Sequence, residues 1–133
     1  MNAKAHTVLV VDDEAPLRRV LGRHLEREGY RVLLAATGES AYETLASDPA
    51  DAILLDIHLP SMSGLALYLT IIHRWPALEG RIAIMTGDAD AEEVRTWLEH
   101  HNCPVIRKPF HLAQITTWLT ATLRWRNRET GNA

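Results

Sequence analysis

The sequence predicts a doubly wound α/β domain, a (βα)5 unit in which one parallel sheet carries helices on both faces. Three observations point there. Short runs of strand-forming apolar residues alternate five times with segments whose apolar residues recur at helical spacing. The helical segments are long enough to cross over between parallel strands. Ala52-Ile53-Leu54-Leu55 is apolar without alternation, as a strand buried on both faces requires.

Each element has its local reason. Thr7 to Val11 is a β-branched apolar run, so a buried strand, and residues 1–6 precede it as a tail. Pro16 suits a first helical turn, and Leu17, Val20, Leu21 and Leu25 follow at helical spacing until Gly29 stops the helix. Tyr30 to Ala35 is the second strand. Thr37-Gly38 opens a helix through Ala41 and Leu45, which Ser47-Asp48-Pro49 closes. The central strand then ends at Asp56, Pro60 cannot extend it, and Ser61 to Gly64 reads as the loop before the next helix. The next helix runs to about Arg74 with Leu65, Leu69 and Ile72 on its inner face, and Pro76 blocks its extension. Arg81 to Met85 is the fourth strand. Asp88 or Asp90 caps a helix with Ala91, Val94 and Leu98 inward. Pro104 to Arg107 is the fifth strand, and the last helix, from near His111, carries Leu112, Ile115, Leu119 and Leu123 on one stripe. Trp118, Ala121 and Trp125 flank that stripe, and Trp97 lies off the Val94-Leu98 line, so these indoles either fold over the core edge or form a contact surface. The polar tail from Arg126 to Ala133 is expected to fray.

At 133 residues the chain has room for one domain with a real core. Its net charge of −3 gives no general reason to expect nucleic acid or an anionic membrane as a partner. A single cysteine, Cys103, excludes an internal disulfide and suits a reducing compartment. Neither a signal-peptide pattern nor a membrane-length apolar run occurs, so a cytoplasmic location is expected.

The polar residues at the strand ends carry the functional information. Asp12 and Asp13 follow the first strand, Asp56 ends the third, Thr86 the fourth and Lys108 the fifth. In a parallel sheet these ends share one edge, where open α/β sheets bind ligands. Crowded carboxylates repel one another and call for a cation, and oxygen donors of this kind suit Mg²⁺. Lys108 adds a positive point charge and Thr86 a hydroxyl donor. Such a set neutralises phosphoryl oxygens while one aspartate attacks phosphorus.

With these residues in view, the chain resembles the receiver domains of two-component response regulators. The matching motifs are Val10-Val11-Asp12-Asp13-Glu14, Leu54-Leu55-Asp56-Ile57-His58-Leu59-Pro60 with Gly64, Met85-Thr86-Gly87, and Arg107-Lys108-Pro109-Phe110. The resemblance implies a flavodoxin-like sheet of order 2-1-3-4-5, with residues 7–125 as the receiver domain and 126–133 as a tail. It implies Asp56 as phosphoacceptor, with Thr86 and Lys108 contacting the phosphoryl group. It also implies Mg²⁺ bound by Asp12, Asp13, Asp56 and the backbone carbonyl of His58. The donor would be a phosphohistidine on a sensor histidine kinase or a histidine phosphotransfer protein. The fourth helix, fifth strand and fifth helix would form the face for a homodimer or for docking a partner, and the chain would not itself bind nucleic acid. Nor would it be an enzyme beyond promoting its own phosphorylation and dephosphorylation.

Two positions depart from the common receiver pattern. Val105 stands where many receivers carry an aromatic switch residue, and His58 where a smaller polar residue is frequent. By the same resemblance, both His58 and Asp88 would fall beside the path of water attacking a phosphoryl group on Asp56. Other readings fit less well. A flavodoxin-like cofactor module would want backbone and hydroxyl donors after the first strand, where Asp12-Asp13-Glu14 places charge of the wrong sign. A haloacid-dehalogenase-type phosphatase wants Asp-x-Asp there, and Asp13 is followed by Glu14-Ala15. The scattered histidines, with His100 and His101 adjacent and pointing apart on a helix, make no metal site. The remaining alternative is a receiver-like interaction module that is never phosphorylated.

Overall fold

The computed structural model describes residues 5–131, with side chains described through Arg124. Strands and helices alternate as β1 (Thr7–Val11), α1 (Ala15–Arg27), β2 (Arg31–Ala35), α2 (Gly38–Ser47), β3 (Ala52–Asp56), α3 (Gly64–Arg74), β4 (Ile82–Thr86), α4 (Glu92–His100), β5 (Val105–Arg107) and α5 (Leu112–Gly131). The five strands form one parallel sheet in the order β2-β1-β3-β4-β5. This is the doubly wound (βα)5 fold that the sequence predicts. Every residue of β1, β3 and β4 is buried, which accounts for their unbroken apolar runs.

Alternation along the strands feeds two separate packing layers. Leu9, Val11, Ile53, Leu55, Ile82 and Ile84 meet Ala41 and Leu45 of α2, Leu67, Tyr68 and Ile71 of α3, and Val94 of α4. On the opposite face Val8, Val10, Leu54, Ala83, Met85 and Ile106 meet Leu21 and Leu25 of α1 and Ile115, Leu119 and Leu123 of α5. The stripe expected on α5 is therefore the one that packs.

Several local expectations are corrected. Helix α3 begins at Gly64, and counting 3.6 residues per turn from there puts Leu67, Tyr68 and Ile71 inward. Leu69, expected inside, is 42 % exposed, while Leu65 and Ile72 are half-buried flanks. Val20 of α1 is likewise exposed, because Leu21, Gly22 and Leu25 take the inner face. Neither Asp88 nor Asp90 caps α4. Ala91 holds the N-cap position without a side-chain bond, and Glu92 and Glu93 supply first-turn negative charge instead. The loop expected before α3 contains a two-residue hairpin, His58–Leu59 against Met62–Ser63, with Ser61 at a φ of 67° in its turn. A 3-10 turn, Pro76–Leu78, follows α3.

Among the described side chains, Trp97 and Trp118 pack against opposite layers of the core. Trp97 packs edge-on against Tyr68 (centroids 5.1 Å apart) and stacks on His101 at 4.1 Å, at the margin of one layer. Trp118 is half-buried against the other layer. Trp125 lies outside the residues whose side chains are described. Helix α5 runs on to Gly131, past the point where the polar tail is expected to fray, and residues 132–133 fall outside the description.

Candidate functional site

The strand ends bring the predicted polar residues together at the C-terminal edge of the sheet. Asp12 sits one residue past β1 and is fully buried. Its backbone N–H donates to the Ala35 carbonyl at 3.1 Å, its Oδ1 accepts the Glu14 N–H at 2.8 Å, and its carbonyl accepts from Arg18 Nη1 at 2.7 Å. The carboxylate is thus fixed by backbone, and its Oδ2 faces Lys108. Asp13 beside it is exposed.

Asp56 is the last residue of β3 and only 4 % exposed. Its Oδ1 accepts the His58 N–H at 3.2 Å. Gly64 holds the backbone beneath it: a Cβ there would meet the Asp56 carbonyl oxygen at 2.3 Å, and the Gly64 N–H donates to the Ile57 carbonyl at 2.7 Å. The glycine of the motif is therefore a packing requirement of the acid's own backbone.

Lys108 follows β5 and reaches across the edge. Its Nζ lies 3.2 Å from Asp12 Oδ2, 3.4 Å from Glu14 Oε1 and 3.5 Å from Asp56 Oδ2. The Lys108 N–H donates to the Thr86 carbonyl at 2.8 Å, tying β5 to the end of β4. Thr86 is 1 % exposed, and its Oγ1 accepts the Asp88 N–H at 2.9 Å.

The charges do not balance. Burial, with the Asp12 charge adding to it, raises the Asp56 pKa above the usual carboxylate value, against the opposing pull of the His58 N–H and Lys108. Burial also works against the Lys108 ammonium, but Asp56, Asp12 and Glu14 outweigh it and lift its pKa above the ordinary lysine value. Oxygens of Asp12, Asp13 and Asp56 all lie within 4.8 Å of one another, and among the described residues this is the group that could hold a metal ion. One ammonium facing several carboxylates, one of them disfavoured as an anion, leaves a site whose donor set fits a hard divalent cation.

Three features escaped the sequence. Glu14 joins the ring around Lys108, although its place in the acidic motif was in view. His58 and Asp88, each expected near the site, bond to one another, Nε2 to Oδ2 at 2.8 Å. Asp90 pairs with Arg107 (Oδ2 to Nη1, 3.2 Å) rather than with a helix end. His100 and His101 turn their Nδ1 atoms to the Thr96 and Trp97 carbonyls of their own helix.

Comparison with known proteins agrees with this geometry. The family model "Response regulator receiver domain" matches residues 8–120. The transcriptional regulatory protein KdpE of Mycobacterium tuberculosis is 32 % identical over 117 residues, covering 88 % of this chain and 50 % of its own length. The phosphate regulon transcriptional regulatory protein PhoB of Pseudomonas aeruginosa is 32 % identical over 118 residues, 89 % of this chain and 52 % of the relative. The chain thus spans about half the length of these curated relatives. Among solved structures, a CheY-like receiver domain protein from Methanospirillum hungatei superposes with a TM-score of 0.86 at 24 % identity, covering 95 % of this chain and 99 % of that one. A putative response regulator from Chloroflexus aurantiacus gives 0.80 at 26 %, covering 91 % and 99 %. No helix among the described residues is long and apolar enough to cross a membrane. With the matched family model spanning β1 to α5 and the acid–lysine site at the sheet edge, the chain belongs to the response regulator receiver domain family.

Proposed function

We propose that Asp56 accepts a phosphoryl group from a phosphohistidine on a sensor histidine kinase or histidine phosphotransfer protein. A carboxylate oxygen of Asp56 bonds to phosphorus as the P–N bond breaks, and the leaving imidazole keeps that electron pair. Asp12, Asp13, Asp56 and the His58 backbone carbonyl would hold Mg²⁺, which would supply charge neutralisation there. Lys108 offsets charge on the phosphoryl oxygens, and the Thr86 hydroxyl donates to one of them. The observation that carries this reading is the Lys108 ammonium set against both Asp12 and Asp56 at the mouth of a three-carboxylate group.

Residues 7–125 act as the receiver unit in this reading, in the cytoplasm, and promote only their own phosphorylation and its reversal. The altered protein then signals by protein contact, through a homodimer on the α4-β5-α5 face, and the chain itself makes no contact with nucleic acid. Incubation with a small acyl-phosphate donor and Mg²⁺, followed by intact mass, tests the assignment. The parent should gain one phosphoryl group, Asp56→Asn should gain none, and Asp13→Asn should need more Mg²⁺. A variant Asp56→Asn labelled as fast as the parent would refute the site. A parent that gains nothing would make the chain an unphosphorylated interaction module.

A further inference from the structure

Asp56 and Thr86 make the same local turn. Each ends a strand, and each offers a side-chain oxygen to the N–H two residues on: His58 to Asp56 Oδ1 at 3.2 Å, Asp88 to Thr86 Oγ1 at 2.9 Å. The two residues placed in this way then bond to each other, His58 Nε2 to Asp88 Oδ2 at 2.8 Å. Because a carboxylate only accepts, the imidazole Nε2 carries the proton. β3 and β4 are paired beneath, with Asp56 opposite Met85, so the contacts close a ring around the site.

We propose that His58 and Asp88 are positioning residues that act on Thr86. The imidazole braces the Asp88 segment, and the Asp88 N–H then occupies one lone pair of the Thr86 hydroxyl. That hydroxyl is buried and cannot turn to bulk water, so engaging its acceptor side leaves its proton to be donated toward a phosphoryl group on Asp56. Loss of the brace frees the segment, and the hydroxyl loses its fixed orientation. The role rests on Asp56 as phosphoacceptor, but the brace itself is a property of the metal-free chain.

Both side chains of the pair are mostly exposed, 62 % and 60 %, so the effect is modest. Exposed pairs of this kind correspond to a change of about two- to fivefold. In metal-free protein, His58→Ala should speed hydrogen exchange at the Asp88 N–H severalfold while the Lys108 N–H, bonded to the Thr86 carbonyl, stays as in the parent. His58→Gln, whose amide N–H can reach the same carboxylate, should restore slow exchange.

With beryllium fluoride and Mg²⁺ as the phosphoryl mimic, His58→Ala and Asp88→Ala should each bind about two- to fivefold more weakly. The double variant should be no weaker than either single one, and His58→Gln should match the parent. Additive losses, unchanged or tighter binding in the single variants, or an Asp88 N–H indifferent to His58→Ala would overturn the proposal. If the parent neither binds the mimic nor gains mass from a phosphodonor, the phosphoacceptor reading fails, and the role of the pair in phosphoryl binding falls with it. The exchange measurement separates that case from failure of the brace.

Discussion

Replacing Gly64 with alanine tests whether the acid's backbone depends on a missing side chain. The new Cβ would stand 2.3 Å from the Asp56 carbonyl oxygen and 2.7 Å from Ile57 Cα, whereas real Cβ contacts essentially never fall under 3.0 Å. Something must therefore move by ~0.7 Å or more, and what it meets is main chain at the end of the central strand rather than a pliable side chain. Overpacking costs about 1–3 kcal/mol, and the rigid neighbour places this site at the upper end, a fall in Tm of roughly 10 °C for a domain of this size. The same substitution at Gly22 provides the contrast. That glycine lies within α1, and its added Cβ would meet Leu34 at an ordinary 3.5 Å, so Gly22→Ala should stabilise by about 0.5–1 kcal/mol through helix propensity. Chemical denaturation reads both, and phosphoryl uptake should slow only in Gly64→Ala. Equal stability changes at the two positions would refute the packing argument.

Asp56→Asn should stabilise the metal-free protein near neutral pH. The folded-state pKa of Asp56 is raised by burial and by Asp12, so ionisation costs the folded form stability as pH rises through that value. Thermal melts at descending pH should show the gap between variant and parent closing, and added Mg²⁺ should stabilise the parent more than the variant. Cys103, whose thiol burial pushes up to about 12, should alkylate at pH 8 at least ~100-fold more slowly in the native protein than after unfolding, as followed by mass. Trp118→Ala should leave Asp56 phosphorylation intact and lower stability by ~2 kcal/mol, because the indole covers a core edge. It should also weaken self-association of the mimic-bound protein in sedimentation, and parent-like sedimentation would restrict Trp118 to packing.

Strand ends were legible in the sequence because burial on both faces leaves a signature that needs no partner. Ile53-Leu54-Leu55 cannot be a half-exposed strand, and an acid closing such a run must emerge at an edge. Parallel topology then gathers Asp12, Asp56, Thr86 and Lys108 without further information. Helix faces were less legible. In α3 apolar residues occur nearly all round, so Leu69 and Leu67 compete for the same inward direction, and only the start at Gly64 decides between them. The cap expected at Asp88 or Asp90 failed for a related reason. A carboxylate in a loop serves whichever donor the fold brings nearest, and here those were His58 and Arg107, residues 30 and 17 positions away. The indoles of Trp97 and Trp118 also depended on tertiary neighbours, which helical spacing does not name.

Strand alternation has one more consequence at the site. Asp56 shares its side of the sheet with Leu54, which packs toward α1 and α5, whereas Thr86 shares its side with Ile84, which packs toward α2, α3 and α4. Lys108, just past the end of β5, brings its Nζ to Asp56 on that side. A group bonded to Asp56 and touching both Lys108 and Thr86 therefore sits astride the rim of the sheet, with one handle on each layer. On the proposed phosphorylation of Asp56, pull on the hydroxyl would reach the layer that contains α4, and pull on the ammonium the layer that contains α5. The buried central sheet would then stand as a partition between two outlets of that one chemical event.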